Sequence, residues 1–334
     1  MNFAEIRIPR ASFFLFAGLL AAFFLSLAIG SAPVPVLGGL FDWLIGQPGL
    51  PALVMGEIRL PRALLALSVG AALGLSGAAL QGLLRNPLAD PSLTGASQGA
   101  ALGAASVFYF GVLPGLGVFA PLLAGLAGAA LALLLTLWLA GSGRPALLLL
   151  AGLAIASLSG AALAAVLNFA PNPFAMQELV FWLLGSVSER GMAHLVFLLP
   201  ALVIGGALIW RQRPLLAALS LGEQVTASLG LDVRRGGRIV VLGAAMLVGS
   251  AVATAGNIGF VGLIAPHLAR PLAQNRPDRL LIPAAAIGAT LVLLADIVAR
   301  LMPPGREIRL GVLTALIGAP LFIRLIWKMR REWL

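Results

Sequence analysis

Long apolar stretches alternate with short polar interruptions along nearly the whole chain. A helix rises ~1.5 Å per residue, so about 18 or more apolar residues in a row mark a segment long enough to cross a bilayer. On this pattern spans are expected at 12–30, 62–84, 93–110, 117–140, 146–168, 193–210, 239–256, 260–272, 281–300 and 310–328. The eighth is too short to cross alone. It is expected as a broken helix held among its neighbours, where irregular backbone is tolerated. The fold class that follows is an all-α integral membrane protein, a bundle of about ten helices in a single domain over residues 1–334.

The interruption RNPLADPSLTG at 85–95 sits between two apolar runs. Arg85 and Asn86 stop the second span, and Pro87 and Pro91 prevent its continuation. Asp90 or Ser92 is then placed to cap the next helix, whose free N–H groups need partners.

Composition strengthens this picture. The chain is 60% hydrophobic and 10% charged, too apolar to be covered by a polar surface. It holds no cysteine, which excludes disulfides and thiol chemistry. The net charge of +10 would suggest nucleic acid in a soluble protein. Here the basic residues lie in short loops between apolar runs, so membrane topology accounts for them. With the N-terminus inside, sixteen of the 22 fall on the inner side, which also puts the C-terminus in the cytoplasm. The first run follows Arg7 and Arg10 and resembles a signal peptide, with Ala28-Ile29-Gly30 as a cleavage site. Its length and the many later spans favour a retained first helix.

Small residues recur at helical spacing, as in Gly70/Gly74, Gly99/Gly103 and Ser157, Ser159 and Gly160. They let helices approach closely in lipid and imply a compact bundle. A faint echo links QGLLRNPLAD, after the second span, to IGFVGLIAPHLAR, after the seventh. Five spans in each half would make the second half an inverted repeat of the first, a frequent plan in transporters.

Residues 213–235 are too polar to span. Ser220 and Glu223 read as a capping box, Gly230 as a stop, and Leu221, Val225 and Leu229 share one face. Such a helix either lies at the lipid headgroups or seats in a partner protein. Arg59, Arg62, Arg300 and Arg306 run against the inside bias. They either snorkel toward phosphates or form a basic docking patch. Ser157, Ser159, Asn168 and Thr314 either line a polar pathway or bond helix to helix. Asp296 lies four residues before Arg300 and is expected to pair with it. His267, after Pro266, has no second ligand near it in sequence and reads as a packing and hydrogen-bonding residue.

Seven motifs occur in order: EIRLPR at 57–62, GAALQGLLRNPLADP at 77–91, FWLLGS at 181–186, LGEQVTASLG at 221–230, GFVGLIAPHLAR at 259–270, ADIVAR at 295–300 and LGVLTALIGAPLF at 310–322. Together they resemble the FecCD family, the permease subunits of ABC importers for iron-siderophores, haem and vitamin B12. The resemblance implies a type II ABC importer permease: a homodimer of ten-helix chains in the bacterial inner membrane, with substrate passing along the dimer axis. Two cytoplasmic ATPase subunits would bind below and a periplasmic binding protein above. Residues 220–230, with Ser220, Leu221, Gly222, Glu223, Val225, Leu229 and Gly230, would form the coupling helix. Arg59, Arg62, Arg300 and Arg306 would receive glutamates of the binding protein. Arg85, Asn86, Pro87, Asp90, Pro91, Pro266 and His267 would belong to the family's structural motifs. Glu307-Ile-Arg309 departs from the Glu-Leu-Pro of many relatives, and Arg309 would extend the patch or compensate for the changed loop.

Two rival classes differ in what they need. An ion-coupled secondary transporter needs acids or histidines within its spans, and this chain offers chiefly Asp296. An intramembrane serine protease would use Ser97 in GASQG at 95–99 with His267 as base, but that motif requires a strand–turn–helix setting. The chain's only lysine, Lys328, is followed by Met329, so there is no G-x-x-x-x-G-K-[ST] phosphate loop. No cofactor is therefore expected on this chain; ATP and Mg would belong to the partner ATPase. The resemblance leaves the cargo open among siderophore, haem and cobalamin, with iron complexes the first expectation.

Overall fold

The computed structural model describes residues 10–30, 32–111, 113–141, 145–169, 173–302 and 308–333. Among them every regular element is helical. The chain opens with α1 (Arg10–Ala28), which turns Phe13, Phe14 and Phe24 outward, and a short α2 (Val36–Leu44) that the hydrophobic pattern did not announce. Next, α3 (Leu50–Leu53) runs through a π-helical turn, Val54–Arg59, directly into α4 (Leu60–Leu84). The second span therefore starts earlier than its apolar run. Gly56 makes this possible, because a Cβ there would collide with the Trp43 ring packed on the π turn.

The remaining elements follow in order: α5 (Ala96–Phe110), α6 (Phe119–Ala140), α7 (Pro145–Asn168), α8 (Pro173–Leu183), α9 (Met192–Arg211), α10 (Arg213–Leu219), α11 (Glu223–Ser228), α12 (Val233–Ala255), α13 (Val261–Ala269), α14 (Pro277–Arg300) and α15 (Leu310–Trp333). Among the described residues six helices are long and apolar enough to cross a membrane, from Leu50–Leu84 to Pro277–Arg300. Ser12–Ala28 and Leu310–Arg324 are shorter apolar helices. The expected third and eighth spans are α5, with 15 residues, and α13, with 9. The seventh begins well before its apolar run. Asp232 accepts a hydrogen bond from the Arg235 N–H at 2.9 Å, and this cap carries the basic stretch 233–238 into the helix.

The centre of the bundle is α4, packed by α14, α12, α13 and α9. Lipid offers no hydrophobic drive for helices to meet, so close van der Waals packing of small residues must supply it. A Cβ on Gly70 would strike the Gly288 carbonyl, one on Gly74 the Ala284 carbonyl, and one on Gly77 the Gly262 carbonyl. Gly99 and Gly103 meet Gly128 and Ala124 of α6 in the same manner. The Gly70/Gly74 and Gly99/Gly103 spacings therefore mark real crossings, whereas Gly160 has open space around it. On the periphery, α6 and α7 turn Leu134, Trp138, Leu150 and Leu158 outward.

The 85–95 interruption is a built connector. Arg85 ends α4 in the left-handed region, φ 50°, and the Asn86 N–H donates back to the Gln81 carbonyl at 3.2 Å. Asn86 Oδ1 accepts from the Leu88 N–H at 2.9 Å. Asp90 Oδ1 accepts from the Ser92 N–H at 2.8 Å, but this caps the single 3₁₀ turn Pro91–Thr94. The expectation that Asp90 or Ser92 caps α5 is corrected: Gly95, φ 77°, occupies that position, and the one-turn helix intervenes.

Candidate functional site

The segment between α9 and α12 forms one face of the bundle end. Its first part, α10, buries Leu215, Leu216 and Leu219. Arg213 anchors it, donating to the Asp278 carbonyl at 3.0 Å and stacking 4.1 Å from the Trp210 ring. The capping box is not formed. The Ser220 hydroxyl donates to the Ala217 carbonyl at 2.6 Å, and α11 begins at Glu223 after Gly222, φ 108°, with no side-chain cap. The physical reason is that Ser220 still lies in the last turn of α10 and bonds backwards. The stop at Gly230 does form. With φ 78°, its N–H donates to the Ala227 carbonyl at 2.9 Å, and the Leu231 N–H reaches the Thr226 carbonyl at 3.3 Å, the paired pattern of a glycine-terminated helix.

This short element holds itself by Thr226, fully buried, whose hydroxyl donates to the Gly222 carbonyl at 2.7 Å. Its other face is bare. Leu221 is 66% exposed, Val225 44% and Leu229 61%. A cavity of about 580 Å³ opens beside Leu221 and Leu229, reaching Leu231, Asn275 and Pro277. Apolar side chains held outward on a fixed short helix are suited to entering a pocket on another protein.

At the opposite end the arginines are not an open patch. Arg59, 4% exposed, donates to the carbonyls of Leu27 (2.9 Å), Ala28 (3.3 Å) and Ala32. Arg300 donates to the carbonyls of Ser26 and Ile29, both at 2.8 Å, and to the Ser26 hydroxyl. Asp296, fully buried, takes Arg62 Nε at 2.9 Å and Arg300 at 2.7 Å. The expected Asp296–Arg300 pair is present, with Arg62 joining it from α4. All three side chains are engaged by these partners within the chain. The last carbonyls of α1 lack helical partners, and the Arg59 and Arg300 guanidinium groups supply them. Arg306 lies outside the described residues.

The two echoing motifs meet. Gln81 Nε2 donates to the Leu263 carbonyl at 3.3 Å, and Arg270 donates to Gln81 Oε1 at 3.2 Å. Pro91 packs against Gly262, where a Cβ would collide with its ring. Between them lies a cavity of about 320 Å³, lined among others by Asp90, Ser97, Gln98, Asn257 and Phe260. Pro266 is buried inside α13, and His267 borders a separate apolar cavity with Leu268 and Phe322. Ser97 sits in the first turn of α5, and the element before it is the 3₁₀ turn, so the strand–turn–helix required of a serine nucleophile is absent.

The pathway candidates do not converge. The Ser157 hydroxyl donates to the Leu153 carbonyl of its own helix on an exposed face, Ser159 is buried, and Asn168 lies at the exposed end of α7. The Thr314 hydroxyl donates to the Gly311 carbonyl at 3.1 Å. None of the four lines the 320 Å³ cavity. Gln81 and Ser26 were not singled out by sequence reasoning. Gln81, a lone amide in a Gly-rich apolar run, was the available signal.

The family model described as the FecCD transport family matches residues 15–328. The chain belongs to the FecCD transport family. FecCD relatives include the hemin transport system permease protein HmuU of Yersinia pestis, 39% identical over 95% of this chain and 97% of that protein. The Fe(3+) dicitrate transport system permease protein FecD of Escherichia coli is 37% identical over 92% of this chain and 94% of its own length. The vitamin B12 import system permease protein BtuC of Salmonella typhi is 39% identical, covering 87% of each chain. A solved structure of an inward-facing metal-chelate type ABC transporter superposes with TM-score 0.79 at 33% identity, covering 95% of this chain and 98% of that one. PsaBC from Streptococcus pneumoniae shares the fold, with TM-score 0.55 at 16% identity over 85% of this chain and 94% of its own. This FecCD chain is thus a multi-pass membrane permease.

Proposed function

We propose that this chain is the membrane subunit of an ATP-driven importer that brings an iron complex, haem or cobalamin into the cytoplasm, with iron complexes the first choice. The observation that carries the reading is α11. Its fold is complete, yet Val225 on the helix and Leu221 and Leu229 just beyond its two ends stay exposed. A cytoplasmic ATPase is the occupant that the family membership supports. Two copies of this chain would form the pathway, in ten helices each, and two ATPase subunits would grip one α11 apiece. ATP and Mg would stay on those subunits. Closure of the ATPases would move α11, and the rigid α10–α14 contact through Arg213 would pass that motion to the bundle, giving alternating access.

At the other end a binding protein would dock. Arg59, Arg62 and Arg300 enter this reading as positioning residues that fix the ends of α1, α4 and α14 beneath the docking surface. The test is reconstitution of the permease with its ATPase and binding protein in vesicles. Val225→Asp should leave the permease folded and abolish ATP-dependent uptake. Unimpaired uptake by Val225→Asp and Leu229→Asp would exclude α11 as the coupling element.

A further inference from the structure

The end of α4 that carries Arg85 opens on a pit. A cavity of about 190 Å³ lies there, lined among others by Gln81, Arg85, Ser220, Arg270, Asn275 and Pro277. Its walls come from four places in the chain: the end of α4, the end of α13, the residue after α10 and the turn into α14. The central helix α4 touches α10, α13 and α14, so the pit lies on the inner part of this bundle end. Ser220, Asn275 and Pro277 also line the larger cavity beside Leu221 and Leu229. The pit and the α11 face therefore adjoin.

Two guanidinium groups line the pit and, among the described residues, no carboxylate does. Arg270 is held by Gln81, whose Oε1 accepts from Nη2 at 3.2 Å, and Gln81 is itself fixed by donating to the Leu263 carbonyl at 3.3 Å. This arrangement leaves Arg270 Nε buried without an acceptor. Arg85 is exposed and, among the described residues, its side chain makes no hydrogen bond or ion pair. It sits at φ 50°, where glycine or asparagine is the usual residue of a helix end, so the backbone gives no reason for an arginine. The neighbouring acid, Asp278, is taken by Arg276 at 2.9 Å and is not part of the lining. A guanidinium offers a planar fork of donors that fits a carboxylate, and buried donors are rarely left unfilled.

We infer that Arg85 and Arg270 receive an acidic side chain of the partner ATPase. The inference rests on the importer reading above and deepens it: α11 would supply the apolar contact and the adjoining pit the charged one. Charged contacts of this kind orient a partner and make its binding sensitive to salt. Arg270, tied through Gln81 to both α4 and α13, would pass the movement of the ATPase to the centre of the bundle.

The test measures binding of the purified ATPase subunit to the full-length permease in phosphatidylcholine nanodiscs, as a dissociation constant over a range of salt concentrations. Arg85→Gln should weaken binding about tenfold or more, the scale of a lost charged hydrogen bond, and flatten its salt dependence. Arg85→Lys should retain part of the affinity. Arg270→Gln should act in the same direction, but it also loses the bond to Gln81, so Arg85, which has no such bond to lose, decides. Arg85→Glu should abolish binding, and a lysine in place of one surface acid of the ATPase should restore it, a rescue that a merely structural arginine would not show. Wild-type affinity and salt dependence in Arg85→Gln overturn the inference, and so does the failure of every acid-to-lysine replacement to rescue Arg85→Glu. If phosphatidylglycerol in the discs lowers wild-type affinity but leaves Arg85→Gln unchanged, the pit belongs to a lipid phosphate and the inference is likewise overturned. Val225→Asp separates the two readings: loss of binding there, with none in Arg85→Gln, keeps the importer reading and removes the pit. A wild-type permease that binds no ATPase removes the importer reading itself.

Discussion

Asp296 shows how much one buried carboxylate can organise. It holds Arg62 from α4 and Arg300 from its own helix, and Arg300 in turn closes the end of α1 through Ser26 and Ile29. Removing one partner of a buried ion pair typically costs ~3–5 kcal/mol, because the other charge is left uncompensated. Asp296→Asn should therefore destabilise the permease by roughly that amount. Arg62→Gln, which leaves the Asp296–Arg300 pair intact, should cost less. Thermal unfolding in one detergent orders the two variants, and an equal or reversed order would contradict the shared-carboxylate arrangement. The pair with Arg300 was legible from a spacing of four. The share taken by Arg62 was not, because local patterns do not report a contact across 234 residues of chain.

Helix ends and crossings give two further predictions. Gly230 closes α11 at φ 78°, where an L side chain is strained. Gly230→Ala should cost roughly 1 kcal/mol or more and loosen α11, read as faster amide exchange at 223–230 and reduced coupled uptake. Within α4, Gly77 lies against the Gly262 carbonyl, whereas Gly18 of α1 has open space around it. Gly77→Ala should force α4 and α13 apart and lower the melting temperature, while Gly18→Ala should be neutral. Equal effects would show that the crossing is not tight. The glycine spacing was readable along the chain. Which helix each glycine meets was not, since small residues permit many pairings and only the assembled bundle selects one. The capping box failed for a related reason: Ser220 has two possible partners, and the preceding turn of α10 wins.

The absence of cysteine makes the topology of the whole molecule directly measurable. Ser220→Cys, beside α11, should react with an impermeant maleimide only from the cytoplasmic side, and Gln47→Cys, in the exposed link between α2 and α3, only from the opposite side. Labelling of both from one side would overturn the orientation that the basic residues imply. Sequence by itself determined the membrane class, the helical architecture, the family and the position of the polar segment between α9 and α12. Those properties follow from hydropathy, loop charge and ordered local motifs. Only the tertiary structure decided that the arginines at 59 and 300 cap α1, that Arg62 shares Asp296 with Arg300, and that the two echoing motifs bond through Gln81. Each of these joins residues far apart in the chain, and a donor finds its acceptor only when packing has brought the helices together.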